Sequence, residues 1–292
     1  MAERHIDELS GTETTGHEWD GLKELNTPLP RWWLYIFYIT IVWAALYWIA
    51  YPTWPMVSSY TKGMMGYSAR EEGLMAFEAG KAARAEAGAA LENTALDQIQ
   101  STPALLEFAQ GQGKAAFGDN CAPCHGLGAT GGPGFPNLND DDWLWGGTLD
   151  DIYTTLQYGI RSGHDDARDS GITGMTAFGA DGILDDAQIA TVVNYVRSLS
   201  GLETDPGLDM AAGQTVFVDN CAACHGEDAK GMLELGAPNL TDGIWLYGSS
   251  PEAMIKTVTF GRKGVMPAWS GRLDPVTVKS LAVYVHNLGG GK

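Results

Sequence analysis

The sequence predicts a mainly α-helical chain with one membrane-spanning helix near its N-terminus, followed by two tandem domains of one kind. Three observations support this fold class. Residues 32–51 carry no charge, a stretch of about a hundred residues is repeated in the rest of the chain, and both copies contain the same cysteine–histidine motif. The net charge of −18 argues against nucleic acid as a partner, because phosphate binding needs a basic surface.

The uncharged run at 32–51 is long enough to cross the hydrocarbon core of a bilayer as one helix. Trp32, Trp33 and Trp54 flank it, and amphipathic rings favour the headgroup region. The preceding residues are acidic on balance and no small-residue cleavage pattern follows, so a cleaved signal peptide is disfavoured. We therefore predict an N-terminal segment at 1–31, a transmembrane helix at 32–54 and membrane lipid as a partner.

The residues between this helix and the repeat are rich in Ala and Glu. Such a composition favours helix, although the apolar stripe is weak. We predict a helical spacer over 55–107, between the membrane and the first domain.

The repeat is visible in two pairs of segments. GKAAFGDNCAPCHG at 113–126 matches GQTVFVDNCAACHG at 213–226, and FPNLNDDDWLWGG at 135–147 matches APNLTDGIWLYGS at 237–249. Each copy begins and ends with an amphipathic helical pattern. We expect each copy to form one domain, over 108–201 and 207–290.

Equivalent residues of the two copies suggest a shared helix–helix contact. A glycine and a phenylalanine lie in the first helix of each copy and a tyrosine lies in the closing helix: Gly113, Phe117, Gly213, Phe217, Tyr195 and Tyr284. Glycine lets two helices cross closely while aromatic rings interlock, so these residues are expected to be structural. Trp143 and Trp245 are expected to pack near the edge of a cofactor.

All four cysteines fall in two C-x-x-C-H motifs. These are Cys121-Ala-Pro-Cys124-His125 and Cys221-Ala-Ala-Cys224-His225. Two thiols one helical turn apart can form thioethers to the two vinyl groups of a porphyrin, and the next histidine then supplies an imidazole to the iron. A thioredoxin-like pair needs a βαβ setting that is not evident, and a zinc site would not explain the adjacent histidine in both copies. We predict two covalently bound haem c groups, and hence export of both domains.

A thioether sulfur opposite histidine gives the raised potential of electron-carrying cytochromes c. Met175 and Met266 occupy matching places in the two copies. Met232, Met254, His164 and His286 are the rival ligands. We expect each methionine to bind the iron of its own copy, because that needs the shorter loop closure, but the sequence leaves open an exchange between the copies.

The whole pattern resembles a known family. Asp20-Gly21-Leu-Lys-Glu24 and Asn26-Thr-Pro-Leu-Pro-Arg-Trp-Trp33, followed by the aromatic helix and two haem motifs, are similar to the membrane-anchored dihaem subunit (FixP or CcoP, subunit III) of cbb3-type cytochrome c oxidases. The resemblance implies two tandem class I cytochrome c domains. It also implies that Cys121, Cys124, His125, Met175, Cys221, Cys224, His225 and Met266 bind haem, with the histidines and methionines as iron ligands.

The resemblance further implies a role in respiration. Electrons would arrive from the cytochrome bc complex or from a soluble or anchored cytochrome c, and leave toward the monohaem subunit and the haem–copper catalytic subunit. The chain would have no catalytic residue and would cross the bacterial inner membrane once, with its N-terminus cytoplasmic and its haem domains periplasmic. An electron-acceptor subunit of a periplasmic dehydrogenase complex is the alternative. A dihaem peroxidase needs an open iron site, which equivalent methionines disfavour.

Overall fold

The computed structural model describes residues 5–169 and 174–291 and is mainly α-helical, as predicted. In chain order the elements are β1 (Thr14–Trp19), β2 (Leu22–Leu25), α1 (Arg31–Ala50), α2 (Ala69–Asn93), α3 (Leu96–Ser101), α4 (Pro103–Asn120), α5 (Ala122–His125), α6 (Leu149–Tyr158), α7 (Asp186–Leu199), α8 (Met210–Asn220), α9 (Ala222–His225), a 3-10 turn (Leu233–Leu235), α10 (Pro251–Phe260) and α11 (Pro275–His286). The chain divides into two compact units, residues 1–82 and 83–292.

The N-terminal unit begins with a β-hairpin that the sequence analysis did not predict. β1 and β2 pair antiparallel, with Trp19 opposite Leu22. Between them Asp20 and Gly21 have positive φ angles of 50° and 84°, as a two-residue hairpin turn of type I′ requires. The Asp-Gly dipeptide was the available signal for this turn.

Helix α1 coincides with the predicted membrane-spanning run. It is long and apolar enough to cross a membrane, and none of its side chains is buried within the chain. The helix ends at Ala50, whereas the predicted span continued to residue 54. Tyr51 is extended because the ring of Pro52 disfavours a helical conformation in the preceding residue.

Helix α2 lies where the composition predicted a helical spacer, and its last residues pack in the C-terminal unit. Leu91 and Ile99 are fully buried with Ala109 of α4 and Val283 of α11. The Lys279 ammonium group donates to carbonyl oxygens at the end of α2, including that of Glu92 at 2.6 Å. The end of the spacer is thereby fixed to the haem-motif region.

Besides the cluster around Leu91 and Ile99, the C-terminal unit contains two larger cores, which define two lobes. Lobe 1 consists of residues 83–169 and 263–291, and its core joins α4, α5 and α6 to α11. Lobe 2 consists of residues 174–262, and its core joins α7 to α8, α9 and α10. The closing helix of each repeat therefore packs against the first helix of the other repeat.

Two equivalent helix crossings show this exchange directly. The Phe117 ring of α4 lies 5.5 Å from that of Tyr284 on α11, and the Phe217 ring of α8 lies 5.6 Å from that of Tyr195 on α7. At each crossing a glycine, Gly113 or Gly213, allows the close approach. The predicted close helix crossing with interlocking aromatic rings is therefore confirmed for these residues.

The expectation that each repeat closes on its own last helix differs from this packing. In the structure, lobe 2 is one continuous segment inserted into lobe 1. The lobe 1 segments on either side of lobe 2 pair with each other, Ile160 with Met266, and the two ends of lobe 2 pair in the same way, Met175 with Arg262. The inserted segment therefore adds little separation for lobe 1 to close. Loop-closure entropy also grows only slowly with length, by about 0.6 kcal/mol per doubling.

Candidate functional site: two C-x-x-C-H motifs

Each C-x-x-C-H motif forms a single helical turn directly after a longer helix. In lobe 1, Cys121 joins α4 to α5, and its carbonyl oxygen accepts hydrogen bonds from the Cys124 and His125 amides at 3.1 and 2.9 Å. In lobe 2, α9 repeats this turn after α8 with the same bonds. The two thiols of each motif therefore lie one turn apart, as two thioether bonds to one porphyrin edge require.

The first cysteine of each motif lies in an apolar environment. Burial, with a smaller contribution from the neighbouring thiol, raises the pKa of Cys121 and of Cys221 to about 11. Both thiols are therefore neutral at physiological pH. A thioether has no ionisable group, so this environment suits covalent attachment better than metal coordination by thiolate.

Both motif histidines are held in one orientation by a backbone carbonyl. The Nδ1 atom of His125 donates to the Pro136 oxygen at 3.1 Å, and that of His225 donates to the Pro238 oxygen at 3.0 Å. Burial lowers the pKa of both imidazoles, more than the hydrogen bonds raise it. Each ring is therefore neutral with Nε2 free to bind iron, and a carbonyl partner of this kind fixes the ligand and raises its basicity.

Met266 lies in lobe 1, with the first haem motif. It packs against the buried cluster that contains Cys121, and its amide and carbonyl both pair with Ile160 at 2.9 Å. Gly159 ends α6 with a φ of +73°, and a side chain there would overlap the Met266 carbonyl. Lobe 1 therefore combines the motif of the first repeat with the methionine of the second.

Met175 lies in lobe 2, with the second haem motif. Its amide donates to the Arg262 carbonyl at 2.9 Å, directly after α10. Gly261, with a φ of +67°, approaches the Met175 carbonyl just as Gly159 approaches that of Met266. Phe178, three residues further on, packs in the lobe 2 core. The two methionine segments are thus related by the same exchange as the closing helices.

The rival ligands have other environments. Met254 is a core residue of lobe 2, with 5% of its surface exposed. His164 lies in an exposed loop, where its Nδ1 accepts from the Asp166 amide at 3.0 Å. The Nδ1 of His286 lies 3.1 Å from the Gln100 side-chain nitrogen.

Each lobe contains a buried hydrogen-bond donor that a bound haem could satisfy. Among the described residues, the buried Nε of Arg168 in lobe 1 and the buried Nε1 of Trp245 in lobe 2 have no hydrogen-bond partner. Unpaired buried donors are costly, and a bound haem could offer each of them a propionate oxygen as acceptor. Trp245 was expected to pack near a cofactor, but nothing in the sequence pointed to Arg168. Within residues 5–169 and 174–291, no three His, Cys, Asp or Glu side chains converge as a zinc site requires.

Three segments of the chain match known family models. Residues 11–58 match the N-terminal domain of cytochrome oxidase-cbb3, FixP; residues 111–200 match cytochrome c; and residues 208–285 match cytochrome C oxidase, cbb3-type, subunit III. The matched segments follow the sequence repeats and not the two lobes.

Similar proteins extend over the full chain. A cbb3-type cytochrome c oxidase subunit FixP of Bradyrhizobium sp. (strain ORS 278) is 60% identical over 98% of both chains. A subunit CcoP of Azospirillum sp. (strain B510) is 55% identical over the whole of both chains. A subunit CcoP of Cereibacter sphaeroides is 51% identical over 96% of this chain and 95% of that one.

These matches confirm the predicted resemblance and favour the oxidase over the dehydrogenase alternative. Together with α1, they indicate a membrane-anchored protein that binds haem c in its cytochrome c domains. The chain belongs to the FixP/CcoP family of cbb3-type cytochrome c oxidase subunits.

Proposed function

We propose that this chain carries two covalently bound haem c groups and passes single electrons within a cbb3-type oxidase. The first haem would be attached at Cys121 and Cys124 with His125 as proximal ligand. The second would be attached at Cys221 and Cys224 in the same way, with His225. The observation that carries the proposal is the pair of matching motifs, each with two thiols one turn apart and a neutral imidazole oriented by a carbonyl.

The sixth ligands are exchanged between the sequence repeats. Met266 completes the iron site of His125, and Met175 completes that of His225. The support is the packing of Met266 against the Cys121 cluster and the pairing of Met175 with Arg262 at the end of α10.

The chain's own residues bind and hold the cofactor and do no bond-making chemistry on a substrate. The haem, when bound, supplies a one-electron iron couple. The thiols attach it, the Pro136 and Pro238 carbonyls orient the imidazoles, and the apolar cores exclude water, which limits the reorganisation that accompanies a change of charge. No residue is assigned a catalytic role.

The electrons travel from a cytochrome c donor or the cytochrome bc complex toward the monohaem subunit and the haem–copper catalytic subunit. The names of the relatives support membership of such a complex. The orientation in the bacterial inner membrane follows from the chemistry of attachment, because c-type haem is attached outside the cytoplasm. Residues 1–31 are therefore cytoplasmic and both lobes periplasmic, with α1 as the single span.

Purification of the native complex in detergent tests this function. We expect two covalent haems per chain, together with a haem–copper subunit, and one covalent haem when Cys221 and Cys224 are both changed to Ala. A chain that carries no covalent haem would refute the cofactor assignment. Co-purification with a flavoprotein or quinoprotein dehydrogenase in place of the haem–copper subunit would refute the partner assignment.

The ligand exchange is tested separately in the single-haem chain that keeps Cys121 and Cys124. Met266→Ala should abolish the methionine-to-iron charge-transfer band and lower the midpoint potential. Met175→Ala should leave both unchanged in this background, and is the matched control. The opposite result would return the ligands to their own repeats.

A further inference from the structure

The two lobes meet through a reciprocal pair of aromatic contacts. The indole ring of Trp145, in the loop that follows the core residue Trp143 of lobe 1, packs directly on Gly236 of lobe 2, where a side chain would overlap the ring. The ring of Tyr247, the equivalent residue of lobe 2, packs on Gly134 of lobe 1, where a Cβ atom would lie 3.2 Å from the ring. Only 7% of the Trp145 surface is exposed, so its contact with Gly236 is part of the packed interior.

Each of these glycines begins the short segment that orients a motif histidine. Gly134 lies two residues before Pro136, whose carbonyl accepts from His125, and Gly236 lies two residues before Pro238, whose carbonyl accepts from His225. Both glycines have positive φ, 84° and 60°, a conformation that other residues rarely adopt. An aromatic ring of one lobe therefore rests on the backbone that positions the imidazole of the other lobe.

Further contacts surround Tyr247 and the Gly134 segment. The Gly134 amide donates to the carbonyl of Leu246, next to Tyr247, at 2.8 Å. The Phe135 ring lies edge-on to His125, with 6.5 Å between the ring centroids. The Arg262 guanidinium also lies over Tyr247 at 3.9 Å, and the Arg262 carbonyl binds the Met175 amide. Tyr247 thus contacts segments next to both motif histidine and methionine sites, so a change at Tyr247 would affect both lobes. Trp145 therefore offers the cleaner test of an effect from one lobe on the other.

We propose that Trp145 and Tyr247 are positioning residues that act across the lobes. Trp145 holds the segment that orients His225, and Tyr247 holds the segment that orients His125. The reduction potential of each haem is then set in part by an aromatic ring of the opposite lobe. A carbonyl partner tunes a ligating imidazole through its orientation and basicity, so a small shift of that carbonyl changes the iron potential. This proposal rests on the proposed function, because it assumes haem on both histidines.

The test is a redox titration of the full chain in detergent, with the two potentials assigned beforehand from Met266→Ala and Met175→Ala. Trp145→Leu should change the reduction equilibrium of the His225 haem by about tenfold, or about 59 mV for one electron, and leave the His125 haem unchanged. Trp145→Phe should restore most of the wild-type value, since it keeps a ring on Gly236.

A glycine pair provides the matched control. Gly236→Ala would force the new Cβ into Trp145, so it should shift the potential of the His225 haem. Gly182→Ala in the same lobe carries a similar positive φ of 70° but has nothing within 4 Å, so it should leave the potential alone.

The titration distinguishes failure of the cross-lobe role of Trp145 from failure of the proposed iron ligation. A change confined to the His125 haem, an equal change in both haems, or no change in either would overturn the cross-lobe role of Trp145. If the methionine variants fail to shift one potential each, the proposed ligation fails instead, and the Trp145 result is then read against the new assignment.

Discussion

Replacing Gly113 by Ala perturbs the exchanged packing at its tightest point. A Cβ atom at Gly113 would overlap the Ser280 carbonyl oxygen of α11 and lie 2.5 Å from the Cβ atom of Tyr284. Neither atom belongs to a flexible side-chain end, so α4 and α11 must separate. Overpacking of this kind costs about 3 kcal/mol at the upper end of its range.

The same change elsewhere on α4 has the opposite effect. Gly118 lies in the same helix, and a Cβ atom there meets nothing within 4 Å. Ala in an exposed helix interior is favoured over Gly by about 1 kcal/mol. Because both variants gain this propensity term, their difference in unfolding free energy isolates the collision between α4 and α11, at about 3 kcal/mol.

Denaturant unfolding of the haem-loaded chain in detergent measures this difference, with the Soret absorbance as the signal. Gly113→Ala should unfold at a clearly lower denaturant concentration than wild type, and Gly118→Ala at the same or a higher one. Equal stabilities for the two variants would show that α4 does not cross α11 at Gly113, which would refute the packing of lobe 1.

Three further predictions concern the lobes. In a double-mutant cycle, Phe117→Leu should couple to Tyr284→Leu by about 1 kcal/mol and to Tyr195→Leu not at all, and coupling to Tyr195 would contradict the exchange. Asp185→Ala removes the N-cap of α7, whose carboxylate accepts from the Gln188 amide at 2.8 Å, and should cost about 1 kcal/mol in thermal or denaturant unfolding. Burial raises the pKa of Asp142 from 3.8 to about 6, so the folded chain favours the neutral acid and loses stability as pH rises through this range and the carboxyl ionises. Asp142→Asn should therefore stabilise the chain at pH 7 and have no effect below pH 4; a pH-independent effect would assign the change to packing.

Much of the site could be predicted because its chemistry is local in sequence. The spacing of Cys121, Cys124 and His125 places all three within one helical turn, and its repetition at 221–225 marks two equivalent sites. The charge-free run at 32–51 predicted a membrane helix for a similar reason, since length and composition alone meet the requirement.

The pairing of the two halves could not be predicted in this way. The repeats are so alike that either closing helix offers the same tyrosine to either first helix, and only the three-dimensional path of the chain selects Tyr284 for Phe117. The buried Nε of Arg168, which has no partner among the described residues, had no local signal because its burial depends on the fold. The contact of Trp145 with Gly236 likewise depends on the meeting of the lobes.

An experimental structure of the haem-loaded chain, with the irons located by their anomalous scattering, tests the central claim most directly. We expect the iron bound to His125 to carry the sulfur of Met266, and the iron bound to His225 to carry that of Met175. Met175 on the His125 iron, or a thiol at Cys121 or Cys221 that is not bonded to a porphyrin, would contradict the account.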